Sequence, residues 1–214
     1  NIYMHNVLTL WFQYIIAKEC KGECFLVVYA DDFIAGFQYP WEAERFYEQL
    51  RSRMAKFGLE LEENKSRIVE SGRYLASLKA KRGESTRLGT FDFLGFTFYC
   101  GRTTKGNPWI MPKTSSKKFR QKVKEIKIWL YNNKEQKLGK LMYMLNVKLV
   151  GHYRYYGISF NSRMISNYKQ QVRELLYKVL NRRSEKKSYT REGFIEMMKY
   201  YKLVNPKIYY SLFC

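Results

Sequence analysis

Apolar residues recur at helical spacing at the start of the chain. Ile2, Tyr3, Val7, Leu8, Leu10, Trp11, Tyr14 and Ile15 predict a helix over 2–17, broken at Lys21-Gly22. The period then changes. Residues 24–30 and 33–38 are short apolar runs flanking Asp31-Asp32, which reads as a hairpin with an acidic tip. Pro40 opens a second helix, where its missing N–H is harmless; Phe46, Leu50 and Met54 follow at four-residue intervals, and Gly58 ends it. Leu59-Glu60-Leu61-Glu62 alternates like a strand, and Ile68-Val69 predicts another short one. Residues 73–90 read as a polar loop with at most one helical turn. An aromatic-rich strand covers 91–98, with a partner at 107–112 across a turn containing Gly101 and Gly106.

Beyond Thr114 the pattern is helical throughout. Ser115 or Ser116 caps a helix over 117–133, with Phe119, Val123, Ile126 and Leu130 on one face and lysines on the other. A second helix is predicted over 139–150, followed by an aromatic-basic break at 151–157. A long helix over 162–183 and a shorter one over 190–200 complete the series. The apolar tail around Pro206–Tyr210 is expected to dock back. The fold class is therefore α+β: an antiparallel sheet with packed helices, then a basic all-α region.

Charge sharpens that division. Of 39 basic and 19 acidic residues, 13 of each lie in residues 1–100, so the entire net charge of +20 falls in residues 101–214. Such a concentration is the electrostatic footprint of a polyanion binder. Interleaved Tyr, Phe and Trp suit stacking on bases and sugars, and no apolar run approaches the roughly 20 residues that span a bilayer, so nucleic acid is favoured over membrane. Cys20, Cys24, Cys100 and Cys214 match neither a paired zinc site nor a compact disulfide framework, and reduced thiols are expected. His152, among aromatics and beside Arg154, reads as packing or an RNA contact.

The candidate chemistry sits in Val27-Val28-Tyr29-Ala30-Asp31-Asp32-Phe33-Ile34. Two adjacent carboxylates on a rigid apolar base can hold divalent cations for phosphoryl or nucleotidyl transfer. Asp-Asp is also a common turn dipeptide. Apolar flanking runs, Tyr29 two residues before Asp31, and the basic second half favour the catalytic reading.

In this order, four blocks resemble the reverse transcriptase encoded by bacterial group II introns, the intron maturase. They are Tyr29-Ala30-Asp31-Asp32; Gly58-Leu59-Glu60-Leu61 with Asn64-Lys65-Ser66; Phe91-Asp92-Phe93-Leu94-Gly95-Phe96; and Leu145-Asn146, Leu149, Gly151-His152-Tyr153-Arg154-Tyr155-Tyr156-Gly157 with Leu180-Asn181-Arg182-Arg183-Ser184. The resemblance covers essentially the whole chain. It implies the end of a polymerase palm over 1–113 and a helical thumb/maturase region over 114–214. It further implies an RNA-directed DNA polymerase of the bacterial cytoplasm that serves intron splicing and mobility. Its partners would be intron RNA, a template–primer duplex and deoxynucleoside triphosphates.

By the same resemblance, two Mg²⁺ ions serve the complete site, with Asp31 a direct ligand and Asp32 in support. Lys65 is similar to the palm lysine that assists pyrophosphate departure, though it equally suits a solvated turn. Leu94, Gly95 and Phe96 would position the primer terminus; otherwise they are an ordinary core strand. Tyr29 packs under the primer end or in the core. Arg154, Arg182 and Arg183 are the phosphate-contact candidates, and Tyr153, Tyr155 and Tyr156 either stack on nucleic acid or fill the core.

The fingers, the earlier palm strand with a further metal-binding Asp, and the Gly-rich Pro-Gln motif of the family have no match here. The expectation is a C-terminal fragment that cannot polymerise alone, from an element without an appended nuclease domain if Cys214 is the true end. The rival reading is a non-catalytic RNA-binding splicing factor. A different palm polymerase or a diversity-generating reverse transcriptase fits the Gly151–Gly157 block less well.

Overall fold

The computed structural model describes residues 2–62, 66–83, 88–182 and 189–212. The chain divides into two compact units: Asn1–Leu94 with Tyr99–Trp109, and Gly95–Phe98 with Ile110–Cys214.

In the first unit, α1 runs over residues 2–19, and two of its segments, His5–Thr9 and Phe12–Ile16, are wound as π-helix. Its Leu10 N–H reaches His5 O and its Ala17 N–H reaches Phe12 O, one residue further back than in an α-helix. That shift moves the buried face to Val7, Leu8, Trp11, Phe12 and Ile16. Tyr14 and Ile15, expected inside, are 58% and 47% exposed.

β1 (Cys24–Tyr29) and β2 (Asp32–Phe37) pair antiparallel, with Tyr29 opposite Asp32 and Cys24 opposite Phe37. Alternation sends Cys24, Leu26, Val28, Phe33, Ala35 and Phe37 toward the core, and Phe25, Val27 and Tyr29 outward. α2 (Pro40–Lys56) starts with proline at its first turn and buries Phe46, Leu50 and Met54. Phe46 stacks on Trp11 with ring centroids 5.7 Å apart and tilts against Phe37 at 5.1 Å, joining both helices to the hairpin. Glu42, 1% exposed, lies in the first turn of α2, where a negative charge complements the helix dipole. Its Oε1 accepts the N–H groups of Lys21 (2.6 Å) and Gly22 (3.3 Å), fixing the approach to β1.

Leu59–Glu62 and Ile68-Val69 are not strands. The Leu59 N–H bonds back to Met54 O, and the Ser66 N–H to Glu62 O, so this backbone is committed to turns rather than a ladder. Leu59 and Leu61 still pack half-buried on the core. The expected loop after 73 contains a helix, α3 (Arg73–Lys81). Its residues are good helix formers without Gly or Pro, bounded by Gly72 and Gly83 at positive φ. Cys20, Cys24 and Cys100 carry free thiols, while Cys214 lies outside the described residues.

The expected strand 91–98 is interrupted. β3 (Phe91–Phe93) turns at Leu94-Gly95 into β4 (Phe96–Arg102), and β5 (Pro108–Thr114) completes a sheet in the order β3-β4-β5. Leu94 and Gly95 have φ of 50° and 79°, the left-handed pair that a two-residue hairpin turn requires.

Among the described residues, four helices build the second unit: α4 (Ser116–Asn132), α5 (Leu138–Tyr156), α6 (Ser162–Leu180) and α7 (Arg191–Tyr200). Ser115 caps α4, its hydroxyl accepting the Lys118 N–H at 3.3 Å. The predicted break at 151–157 is instead the last two turns of α5. His152, Tyr153 and Tyr156 continue the buried stripe of Leu145 and Leu149, so tertiary packing carries the helix through Gly151. α6 presents Ile165, Tyr168, Val172, Leu176 and Val179 at three- and four-residue steps to the same core. The tail docks on α5: the Asn146 amide bonds Lys202 O and the Val204 N–H, Leu203 is buried, and Tyr209 donates its N–H to Gly157 O at 2.6 Å.

Candidate active-site hairpin and nucleic-acid interface

A two-residue turn, Ala30-Asp31, joins β1 to β2. Ala30 has φ of 56°, a left-handed conformation that costs a residue with a Cβ about 1–2 kcal/mol. Asp31 and Asp32 are both exposed, the first in the turn and the second opposite Tyr29 in register. Tyr29 is 62% exposed, so it is not a core residue. It shares the outer face with Phe25, Val27 and Ile34; the Phe25 ring covers Gly36, where a Cβ would approach it to 2.3 Å. Two hard carboxylates at an exposed tip suit a divalent cation in donor type. Among the described residues, no third His, Cys, Asp or Glu groups with them. Lys65 lies outside the described residues.

Within the second unit, the turn bearing Gly95 is tied down by backbone. The Ser115 N–H donates to Gly95 O at 2.9 Å. A Cβ on Gly95 would come within 3.2 Å of the Tyr156 hydroxyl oxygen, so its close approach is to protein. Phe96 is 8% exposed and packs in the core, stacked on Tyr155 at 5.9 Å and tilted against Tyr156 at 5.3 Å.

Asn161, a residue the sequence pattern did not single out, organises this region. It is fully buried: its Oδ1 accepts the Thr114 N–H at 2.8 Å, and its Nδ2 donates to Thr114 Oγ1 and Tyr156 O, both at 2.8 Å. An Asn directly before the Ser162 helix start was the available signal. Asn161→Ala leaves these buried groups unpaired and is expected to destabilise the chain by about 3 kcal/mol, read from urea unfolding. A loss below about 1 kcal/mol contradicts the clamp.

The phosphate candidates separate. Arg154 and Tyr155 are exposed near the end of α5. Arg182 is exposed but directed to Tyr131, donating from Nη1 to its hydroxyl with the guanidinium 5.8 Å from the ring. Arg183 lies outside the described residues. Tyr153 and Tyr156 are buried, at 0% and 4% exposure, and of the three tyrosines only Tyr155, at 54%, is open to solvent. On α4, Lys117, Lys118, Arg120, Lys124 and Lys127 are exposed opposite the buried Ile126 and Leu130.

His152 is a packing residue. It stacks on Tyr168 with centroids 3.7 Å apart and contacts Tyr156 at 4.7 Å. Burial, aided by the Lys122 charge, pushes its pKa down from 6.5 to about 4. The unfolded chain therefore takes up a proton near pH 6.5, which the folded chain resists until about pH 4. This contribution to stability is complete above about pH 6.5 and is lost as pH falls toward 4, by up to about 3 kcal/mol. Unfolding midpoints across that window should fall more steeply for the parent chain than for His152→Gln. Parallel curves contradict the assignment.

Comparison with known proteins supports a two-part reading. Residues 1–98 match the family model for reverse transcriptase (RNA-dependent DNA polymerase), and residues 116–201 match that for the group II intron maturase-specific domain. Comparisons with curated proteins and with solved structures returned no match. No helix among the described residues is long and apolar enough to cross a membrane. With a nucleotidyltransferase-family match at the acidic hairpin and a maturase match over the basic helices, the chain belongs to the group II intron reverse transcriptases/maturases.

Proposed function

We propose that this chain carries the acidic end of an RNA-directed DNA polymerase palm, residues 1–113, joined to a thumb/maturase region, residues 114–214, that binds intron RNA. The observation carrying this reading is the placement of Asp31 and Asp32 at the exposed tip of a hairpin whose other face is anchored in a core. In the bacterial cytoplasm the protein would copy an RNA template into DNA from deoxynucleoside triphosphates and assist intron splicing and mobility.

In this mechanism Asp31 and Asp32 would hold Mg²⁺ together with a further Asp that has no match in these 214 residues. Bound there, Mg²⁺ would lower the pKa of the primer 3′-hydroxyl and offset charge on the leaving pyrophosphate. Tyr29, exposed on the outer face, offers its ring to the primer end. Leu94 and Gly95 form the rigid turn that sets the height of the primer backbone, and Phe96 anchors it. Lys65 would assist pyrophosphate departure. Arg154, Arg182 and Arg183 would contact phosphates, with Tyr155 the stacking candidate.

The test is primer extension on an RNA template in Mg²⁺, by the 214-residue chain and by a polypeptide that adds the sequence encoded upstream. Extension by the longer polypeptide alone is expected. Extension by the 214 residues alone overturns the requirement for an outside carboxylate. No extension by either favours the non-catalytic RNA-binding reading.

A further inference from the structure

The link between α1 and β1 is short, Lys21 to Glu23, and a cysteine stands at each end of it. Cys20 follows the last turn of α1, its N–H donating to Ile16 O at 3.1 Å, and Cys24 is the first residue of β1. The link is stitched down along its length. Glu42 Oε1 accepts the N–H groups of Lys21 and Gly22. The Glu23 N–H donates to Gln38 Oε1 at 2.9 Å, and the Gln38 N–H returns to Glu23 O at 2.9 Å. Gly22 fits there because it has no side chain: a Cβ would come within 2.7 Å of Gln38 Cβ and 2.9 Å of the Tyr39 ring. The backbone is thus fixed between the two cysteines, and both side chains pack on one core, that of Val7, Leu8, Phe46 and Leu50.

Both thiols are free, half-buried and side by side, joined by a hydrogen bond. A disulfide needs two sulfurs brought together without backbone movement, and this fixed turn supplies that arrangement. The two thiols are not equivalent. Burial, the bond to Cys24 and the nearby charges of Cys24 and Glu42 push Cys20 up to about 11, against an opposing effect of Arg45. Cys20 therefore keeps its proton, and Cys24 is the thiol that reacts first. Among the described residues, no third His, Cys, Asp or Glu groups with the pair as a metal site would need. Cys100, on β4, is the contrast: it is free and half-buried, with the Trp109 backbone and Arg102 beside it rather than a thiol.

We infer that Cys20 and Cys24 form a reversible thiol–disulfide site, oxidised by a low-molecular-weight disulfide, which when closed ties the end of α1 to the first residue of the acidic hairpin. The inference stands apart from the polymerase and RNA-binding readings. With glutathione disulfide as the oxidant, the Cys24 thiolate attacks one of its sulfurs. A bond forms between Cys24 and glutathione, the sulfur–sulfur bond of the reagent breaks, and one glutathione thiolate leaves. Cys20 then loses its proton, attacks Cys24 Sγ and expels the second glutathione thiolate. Two cysteine thiols are oxidised to one disulfide, and one glutathione disulfide is reduced to two thiols. The two protons lost by the cysteines end on the two glutathione thiolates. A dithiol reductant runs the same exchange backward.

The experiment exposes the folded 214-residue chain to glutathione buffers of increasing oxidised fraction, ending in glutathione disulfide alone. The reaction is quenched with acid, remaining thiols are alkylated, and the bonds are mapped by proteolysis and mass spectrometry. The expected product is a Cys20–Cys24 disulfide that dithiothreitol reverses, with Cys100 still alkylated. Cys20→Ser should stop at a mixed disulfide on Cys24. In Cys24→Ser, the mixed disulfide on Cys20 should form about threefold or more slowly than that one. The oxidised parent should melt about 2–4 °C above the reduced parent, a rise that neither serine variant shows. The bond map is read on the parent chain, so the result does not depend on the variants folding. Absence of the Cys20–Cys24 bond in glutathione disulfide alone overturns the inference. Equal pairing of either cysteine with Cys100 or Cys214 also overturns it, because the turn would then select no partner. A Cys20–Cys24 bond that leaves the melting temperature unchanged overturns the tie between α1 and the hairpin.

Discussion

Raising salt from about 50 to about 200 mM is expected to weaken RNA binding by this chain by about 10³-fold or more. The argument starts from charge. Residues 101–214 carry the whole +20, and the structure shows how much of it faces water: Lys117, Lys118, Arg120, Lys124 and Lys127 lie along the outer side of α4, and Lys140 and Arg154 on α5. Each cation that neutralises a phosphate releases a counterion, so log affinity falls linearly with log salt, and about six contacts suffice for the stated loss. Not every cation counts equally. Lys122 pairs with Glu125 at 2.8 Å, Arg191 with Glu174 at 3.1 Å, and Arg182 is held by Tyr131, so these begin with partners of their own. Arg154→Ala should flatten the slope by about one unit, whereas Arg191→Ala should leave it nearly unchanged. A flat salt dependence would contradict a phosphate-binding role for the second unit.

In the longer polypeptide that adds the sequence encoded upstream, Asp31→Asn is expected to reduce RNA-templated primer extension by at least about 10²–10³-fold, the usual cost of removing one preorganised charge-stabilising group. The substitution isolates charge. Asn suits the same turn position, and Asp31 is exposed, so stability should change by no more than about 0.5 kcal/mol. Asp32→Asn should cost less, in keeping with a supporting role. Extension within about threefold of the parent for Asp31→Asn would remove Asp31 from the metal site.

Much of the fold was legible in the sequence. The hairpin follows from two short apolar runs flanking Asp31-Asp32, and its acidic tip falls between strand ends that differ from expectation by one residue. α2 was readable from Pro40, the four-residue apolar step and Gly58. The misreadings have specific causes. Phe91–Phe98 is a continuous aromatic run, and Leu94 at positive φ gives no sign of the turn that Gly95 completes. Gly151 and the cluster of tyrosines imitate a helix end, because a sequence does not show that Tyr153 and Tyr156 have a core waiting for them. Leu59–Glu62 alternates properly but pairs with no strand among the described residues. The π-wound segments of α1 shift its buried face by a residue, which an α-helical template cannot detect.

The candidate site was legible in the same uneven way. Asp31, Asp32, Arg154 and Tyr155 are exposed, as their proposed roles require. Phe96 is a core anchor, and Arg182 is partly committed to Tyr131. Asn161 showed in the sequence only as an Asn before a helix start; the three-dimensional closeness of Thr114 and Tyr156 gives it its role.

The central claim is that one chain joins a nucleotidyl-transfer hairpin to a separate RNA-binding unit. The most direct test is the rate at which the Asp31→Asn protein promotes excision of a group II intron RNA, at a Mg²⁺ concentration where the RNA alone splices slowly. Measured in the longer polypeptide, the account predicts stimulation equal to that of the parent, alongside primer extension reduced by at least about 10²-fold. Loss of splicing stimulation in parallel with extension would contradict it, because the acidic hairpin would then serve the structure as a whole rather than one of two separable functions.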